Sequence, residues 1–280
     1  MQVGLTILSE NTALYGFLAE WGISVLMEAD GVRVLLDTGL SVSAVHNAQI
    51  LGVDFADLDA IVLSHGHADH TGGLRGVLTR SGRKDVIAHP DVWQPKYRQR
   101  EGEADRYIGI PFLKEEMESL GASFTLSREP VGISPHIVTS GEVPMSTSYE
   151  QIDKGLCRRT ECGTRPDPLA DDLSLAVKTD EGLVVVFGCA HRGPINIIRH
   201  LQEVTGEERV HAVLGGMHLI NASEERVQET IRELKAMGVK CVACSHCTGF
   251  KAAARMADAF GDSFAMCNAG SRLTLPVEEE

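Results

Sequence analysis

The sequence predicts an α/β fold of four layers (αββα), with helices covering the outer faces of two packed sheets. Three observations carry this. Short apolar runs with β-branched members recur along the chain, at 32–36, 60–63, 183–187, 210–214 and 239–243, each the length of a buried strand. Helical apolar spacing fills several of the stretches between them. At 280 residues and 43% hydrophobic content, the chain can bury a substantial core, and a single domain over 1–280 accommodates every element.

Taken in order, 22–29 (GISVLMEA) and 32–36 (VRVLL) read as paired strands, joined by Asp30-Gly31. That dipeptide is a strong type I′ hairpin signal. Asp37-Thr38-Gly39 closes the second strand, and an aspartate there can be an ordinary turn residue. A helix is expected over 42–51. The run 60–63 (AIVL) is a buried strand ended by Ser64. Pro194 opens a helix at its first position, with Ile195, Ile197, Ile198, Leu201 and Val204 on one side. Ser223 caps another, with Val227, Ile231, Leu234 and Met237 as its buried stripe and Gly238 as its end. Segments 91–121 and 146–171 are rich in charge, Gly and Pro and contain Tyr97, Tyr107 and Tyr149. They read as lid or loop insertions that set the substrate range.

Between positions 64 and 73 the chain reads SHGHADHTGG, with His65, His67, Asp69 and His70 inside six residues. Imidazoles and a carboxylate this crowded suit zinc, iron or manganese far better than they suit a polar surface loop. Gly66 lets the loop turn between the first two histidines. Asp69-His70-Thr71 opens a short helical turn, and Gly72-Gly73 permits close backbone approach. Two metals need more donors than this run holds. His191, His218 and His246 each follow a predicted buried strand by a few residues, so the three should converge on one rim of a sheet. His46, His89, His200 and His211 read as surface or structural residues.

The HxHxDH run, the upstream strand pair ending in Asp-Thr-Gly, and the segments GCAHRGPINII, GGMHL and SHCTG together resemble the metallo-β-lactamase superfamily. Within it they resemble the branch labelled 7,8-dihydropterin-6-methyl-4-(β-D-ribofuranosyl)aminobenzene-5′-phosphate synthase-like. The resemblance covers nearly the whole chain and is specific for fold and metal site, but not for substrate. It implies the αββα sandwich and two divalent metal ions, zinc first, with manganese or iron as alternatives. A carboxylate at position 67 would suggest the di-iron oxygen reductases; His67 favours the hydrolases. By position, His65, His67 and His191 would hold the first metal, and Asp69, His70 and His246 the second. Asp37 would orient the ligand loop rather than bind. Cys189 stands where many members have a bridging aspartate, so either it is a thiolate ligand or His191 has taken a shared role; Asp171 and Asp172 are weaker candidates. His218 is a ligand, a substrate-phosphate donor or a general acid, with a substrate-facing role preferred.

The resemblance implies metal-assisted hydrolysis. Two metals about 3.5–4 Å apart would bring the pKa of a bridging water towards neutrality. Asp69 would orient the nucleophile and take its proton, and His218 would aid the leaving group. Small phosphoesters and cyclic phosphodiesters lead as substrates, with lactones and thioesters behind. The alternatives are an iron-dependent redox enzyme on the same ligands, a metal-bound sensor without turnover, and a pterin-linked ribosyl-phosphate synthase.

Composition narrows the partners. Seven cysteines, an odd number, and an N-terminal stretch without secretory features point to a reducing cytoplasm. Cys241, Cys244 and Cys247 have CxxCxxC spacing, with Cys267 as a distant fourth, but buried apolar thiols explain them better than an iron–sulfur cluster. Cys157 and Cys162 flank a polar loop and could pair or bind zinc. A net charge of −13 disfavours nucleic acid, and the basic stretch 96–106 is interleaved with acids, so it reads as a solvated helix or lid. No apolar run reaches membrane-span length. A small-molecule substrate fits, and a homo-oligomer is compatible with all of this.

Overall fold

The computed structural model describes residues 1–161 and 163–276. Its seven-stranded sheet runs, edge to edge, Arg272–Leu275, Val3–Ser9, Ser24–Ala29, Val32–Leu36, Ala60–Val62, Lys84–Ala88 and Ala122–Leu126. The first three pairings are antiparallel and the last three parallel. A six-stranded sheet runs Phe264–Met266, Cys241–Cys244, Val210–Gly215, Gly182–Phe187, Ser174–Thr179 and Ile137–Thr139. Its first four strands are mutually parallel. Asp30 and Gly31 both take positive φ (55° and 75°), as the type I′ hairpin requires.

Strand alternation assigns each side chain to a layer. Val25, Met27, Val34 and Leu36 of the first sheet meet Leu175, Val177, Val184 and Val186 of the second in one buried cluster. The opposite face of the second sheet, with Val185 and Phe187, packs on helices Pro194–Thr205, Glu224–Ala236 and Phe250–Phe260. The opposite face of the first, with Leu26, Leu35 and Ile61, packs on Ser43–Leu51 and Leu74–Ser81. The layers are therefore helix, sheet, sheet, helix. Because both faces of the central strands are covered, they read as continuous apolar runs rather than alternating ones.

The two segments read as insertions come together. Lys96–Arg98 and Arg106–Tyr107 from the first pair with Leu156–Thr160 and Gly163–Pro166 from the second in a small four-stranded sheet. The first segment also contains the helix Lys114–Ser119. The stretch 96–106 is thus not a solvated helix. Strands of two or three residues leave no periodicity to read, and their partner lies some sixty residues away. Lys96 is buried, its Nζ 2.8 Å from Asp167 Oδ2 and 2.9 Å from Asp171 Oδ1. Burial alone would lower its pKa, but these two carboxylates raise it and keep the ammonium charged.

Removing one partner from a buried ion group leaves the others uncompensated. Lys96→Met is expected to cost about 3–5 kcal/mol in urea unfolding. Arg100→Ala, in the same segment but largely exposed, should stay within about 0.5 kcal/mol of wild type.

Candidate metal centre

The centre begins where strand Ala60–Val62 ends. Asp37, just past its neighbour Val32–Leu36, sits at φ 58° with its carboxylate turned onto the ligand loop. Its Oδ1 accepts the Ser64 N–H at 2.7 Å, and its Oδ2 accepts the Ser64 hydroxyl at 2.6 Å and lies 2.6 Å from His70 Nδ1. His67 precedes the short helix Ala68–Thr71. A Cβ on Gly72 or Gly73 would stand 2.0 Å from the carbonyl oxygen of Leu40 or Thr38, the close approach the glycine pair was expected to allow. Gly66 serves the same purpose against Val92, whose carbonyl oxygen a Cβ would meet at 2.0 Å; close approach, rather than a sharp turn, requires glycine there.

The other donors arrive from the second sheet. Strands Gly182–Phe187, Val210–Gly215 and Cys241–Cys244 are adjacent and parallel, so the residues after them share one rim, as expected. Ala190, His218 and His246 on that rim all have positive φ (49°, 47° and 49°), uncommon for residues with side chains.

The expected donors form two groups. His65 Nε2 lies 2.8 Å from His67 Nδ1 and 3.1 Å from His191 Nε2. Asp69 Oδ2 lies 3.4 Å from His246 Nε2 and 3.8 Å from His70 Nε2. Cys189 Sγ is 3.1 Å from His70 Nε2. It completes one candidate metal-holding triad with His65 and His191 and another with His70 and His246, so the two groups meet at this thiol. Nitrogens bound tetrahedrally about 2.0–2.1 Å from one zinc lie about 3.3 Å apart, close to the spacings of the first group. The outward nitrogens of three rings are already engaged: His65 Nδ1 with the Ser64 hydroxyl, His70 Nδ1 with Asp37, and His246 Nδ1 with Asn11 Oδ1. Each therefore aims Nε2 inward, the arrangement that orients imidazole ligands. These histidine and cysteine side chains could hold a divalent metal.

Burial, then the neighbouring imidazoles, push His65 and His191 well below the usual histidine range, and burial does the same to His67. His70 moves the other way. Burial opposes its charge, but Asp37 and Asp69 raise it to about 9. Burial would raise Asp69, yet His70 and His246 hold it low. Burial pushes Asp172 up to about 7.

Asp171 and Asp172 each hold a loop, and Asp172 Oδ1 is buried with no hydrogen-bond partner among the described residues. Asp171 Oδ2 accepts the Gly66 N–H at 2.9 Å, and Asp172 Oδ2 accepts the Arg192 N–H at 2.8 Å. Glu10 and Asn11 are parts of the site that sequence reading missed. Glu10 Oε1 accepts the His246 N–H at 2.6 Å; more than 230 residues separate the pair, and no local signal announces it. His46 is exposed, His89 pairs with Glu142, His200 with the Ser140 carbonyl, and His211 is half-buried at a strand start. Of the cysteine run, Cys247 faces Cys189 and His218, while Cys244 lies in the helix-covered core. Cys157 contacts Gln99 Oε1 at 3.0 Å; Cys162 lies outside the described residues.

Beside the centre opens a cavity of about 670 Å³ whose lining includes His218, Tyr149, Arg98 and Arg226. The His218 ring packs 4.1 Å from that of His191, centroid to centroid, so His218 stands between cavity and metal centre.

Residues 23–151 match the family model described as the metallo-beta-lactamase superfamily. The chain is 34% identical over 274 residues to the 7,8-dihydropterin-6-methyl-4-(beta-D-ribofuranosyl)-aminobenzene-5'-phosphate synthase of Methanocaldococcus jannaschii, covering 94% of this chain and 93% of that one. The chain belongs to the metallo-beta-lactamase superfamily. A crystal structure of Tm1679, described as a metal-dependent hydrolase of the beta-lactamase superfamily, superposes with a TM-score of 0.84 at 30% identity, covering 97% and 98% of the two chains. The short form of human tRNase Z shares the metallo-beta-lactamase fold at a TM-score of 0.58 and 11% identity, covering 98% of this chain and all of that one. Superfamily membership and the enzyme-named relative support an enzyme. Among the described residues, no helix is long and apolar enough to cross a membrane.

The glycine pair gives a direct check on the loop. Gly73→Ala must displace the Thr38 carbonyl and is expected to cost about 1–3 kcal/mol, read as a lowered midpoint in thermal and urea unfolding.

Proposed function

We propose that the chain is a binuclear metal-dependent hydrolase acting on a small phosphoester or phosphodiester, or on a related ester or lactone. One observation carries the reading: two groups of buried donors, each aimed inward, meet at Cys189. His65, His67 and His191 would hold one ion, and Asp69, His70 and His246 the other, with the Cys189 thiolate between them. Zinc suits this imidazole, carboxylate and thiolate set best, with manganese or iron as alternatives. Divalent ions supply a water acidified towards neutrality and a polarised ester oxygen. Asp37 fixes the His70 ring through Nδ1 and, through Ser64, the start of the ligand loop. The Asp69 carboxylate, held ionised by His70 and His246, would orient the attacking water. His218, half-buried at the cavity wall with Nδ1 unpartnered among the described residues, is positioned to protonate the leaving oxygen.

A second reading has its own support. The 34% identity over nearly the whole chain is to a relative named as the synthase of a pterin-linked ribofuranosyl-aminobenzene phosphate, and the same donors could serve that chemistry.

Elemental analysis of the purified chain should find about two zinc or manganese ions, falling sharply in His67→Ala, and should be followed by phosphodiesterase and lactonase screens. Iron accompanied by visible absorption would replace hydrolysis with redox chemistry, and the absence of bound metal under several growth conditions would overturn the reading.

Proton release on metal uptake tests the ligand set. A ligand must be deprotonated to bind. At pH 7.5 His65, His67 and His191 are already neutral, whereas His70, held up to about 9, must give up a proton. Affinity at that ion should thus rise by at least about tenfold per pH unit below pH 9. If Cys189 binds as thiolate, one more proton leaves, because burial raises its pKa. Titration calorimetry in buffers of differing ionisation enthalpy should show Cys189→Ser releasing one proton fewer than wild type.

A further inference from the structure

We propose that Cys247, His218 and Cys189 form a third cation position beside the two already described, suited to a thiophilic ion such as zinc or cadmium. It stands whether or not the centre hydrolyses an ester, because it is defined by these donors and not by any reaction.

Cys189 Sγ, Cys247 Sγ and a ring nitrogen of His218 all lie within 4.8 Å of one another. Donors bound tetrahedrally to one zinc, with sulfur at about 2.3 Å and nitrogen at about 2.0–2.1 Å, stand about 3.5–3.8 Å apart. A shift of about 1 Å or less per residue therefore gathers all three around an ion. Each of the other two donor groups reaches three ligands without Cys189: His65, His67 and His191 in one, Asp69, His70 and His246 in the other. The Cys189 thiolate can thus be shared with a further ion without stripping either of the first two. Two thiolates also balance a divalent charge, and soft sulfur favours zinc and its heavier congener over magnesium or calcium.

The surroundings hold this arrangement in place. The loops bearing His218 and Cys247 are laced together by three hydrogen bonds. Met217 N–H donates to Thr248 Oγ1 at 3.1 Å, His218 N–H to Cys247 Sγ at 3.3 Å and Ile220 N–H to the Cys247 carbonyl at 3.1 Å. A Cβ at Gly216 would stand 2.6 Å from Cys247 Sγ, so the sulfur fits only because residue 216 is glycine. His218 takes φ 47°, a conformation that costs energy in a residue with a side chain and that this lacing maintains. Its Nδ1 is buried without a hydrogen-bond partner among the described residues, and so is Asp172 Oδ1. Asp172 lies near enough to His218 and Cys189 to interact with the charge of both. Buried polar atoms left open in this way are costly; a cation here would satisfy the ring and offset the carboxylate. A ring that binds an ion through one nitrogen keeps an N–H on the other, so His218 can still donate into the cavity it lines.

The test adds cadmium chloride in excess to the full chain as purified, then exchanges the buffer and measures bound metal. Cys247→Ala, His218→Ala, Cys241→Ala and His67→Ala are run beside wild type, with thermal melting to check that each is folded. Because Cys189 is shared, the third position should fill only with added ion. Wild type should then pass from about two bound ions, zinc and cadmium counted together, to about three, with new ultraviolet absorption from cadmium–thiolate bonds. Cys247→Ala and His218→Ala should gain no ion, whereas Cys241→Ala should gain it as wild type does. His67→Ala should begin with fewer ions and still make the same gain. His218 is only half-buried, so its variant decides if Cys247→Ala fails to fold. No gain in wild type, or the same gain in His218→Ala, would overturn the position. A gain abolished by Cys241→Ala would place the ion on that half-buried thiol and overturn it too. The pair of ions is judged separately, from the metal content before cadmium is added.

Discussion

The centre depends on one buried carboxylate. Asp37 has no contact with solvent, yet its two oxygens serve three donors from the ligand loop. Through Ser64 it fixes where the strand ends and the loop begins, and through His70 it fixes a ring of the second donor group. The second sheet is built around the same point. A Cβ at Gly188 would come 2.2 Å from Ser64 Oγ and 2.8 Å from Asp37 Oδ2, so the strand bearing Cys189 and His191 can close onto Asp37 only because residue 188 has no side chain. The donor groups from the two sheets share a centre because both sheets seat against this carboxylate.

A second chain of polar contacts ties the small sheet to the same loop. Lys96 reaches Asp171, and Asp171 accepts the Gly66 N–H between His65 and His67. The strand that begins at Lys96 continues to Arg98, and the loop before its partner strand carries residues 151–154 of the cavity wall. The segments that form the cavity are therefore tied to the metal loop by a buried ion group, together with the Ala68 N–H that donates to the Ile108 carbonyl. Such a group tolerates poorly the loss of any member, which makes it a means of fixing position more than a source of stability.

The sequence made much of this legible, for local reasons. Asp30-Gly31 encodes its turn in two residues, Pro194 and Ser223 encode helix starts, and the HxHxDH run places four donors in six residues. The rim histidines could be anticipated because parallel strands deliver their C-terminal ends to one side. What escaped reading is non-local. The small sheet joins strands too short to show alternation. Lys96 looked like part of a solvated basic stretch because only its distant partners, Asp167 and Asp171, make burial tolerable. Glu10 and Asn11 meet His246 across nearly the length of the chain.

Within this chain the candidate metal centre and the cavity beside it rest on different parts of the fold. The candidate metal centre is built on the ends of the two main sheets, whose fold is common to structures as distant as 11% identity. The cavity is built largely on the segments between those strands and on the start of helix Glu224–Ala236. Loops carried on a rigid scaffold can change their chemistry without disturbing the elements that hold the reacting groups. The arginines of this wall are matched by carboxylates, Arg98 by Asp153 at 2.8 Å and Arg100 by Glu103 at 3.9 Å, so its charges are set by pairs within the same segments. His218, in the cavity lining with its ring 4.1 Å from that of His191, is where this wall meets the candidate metal centre.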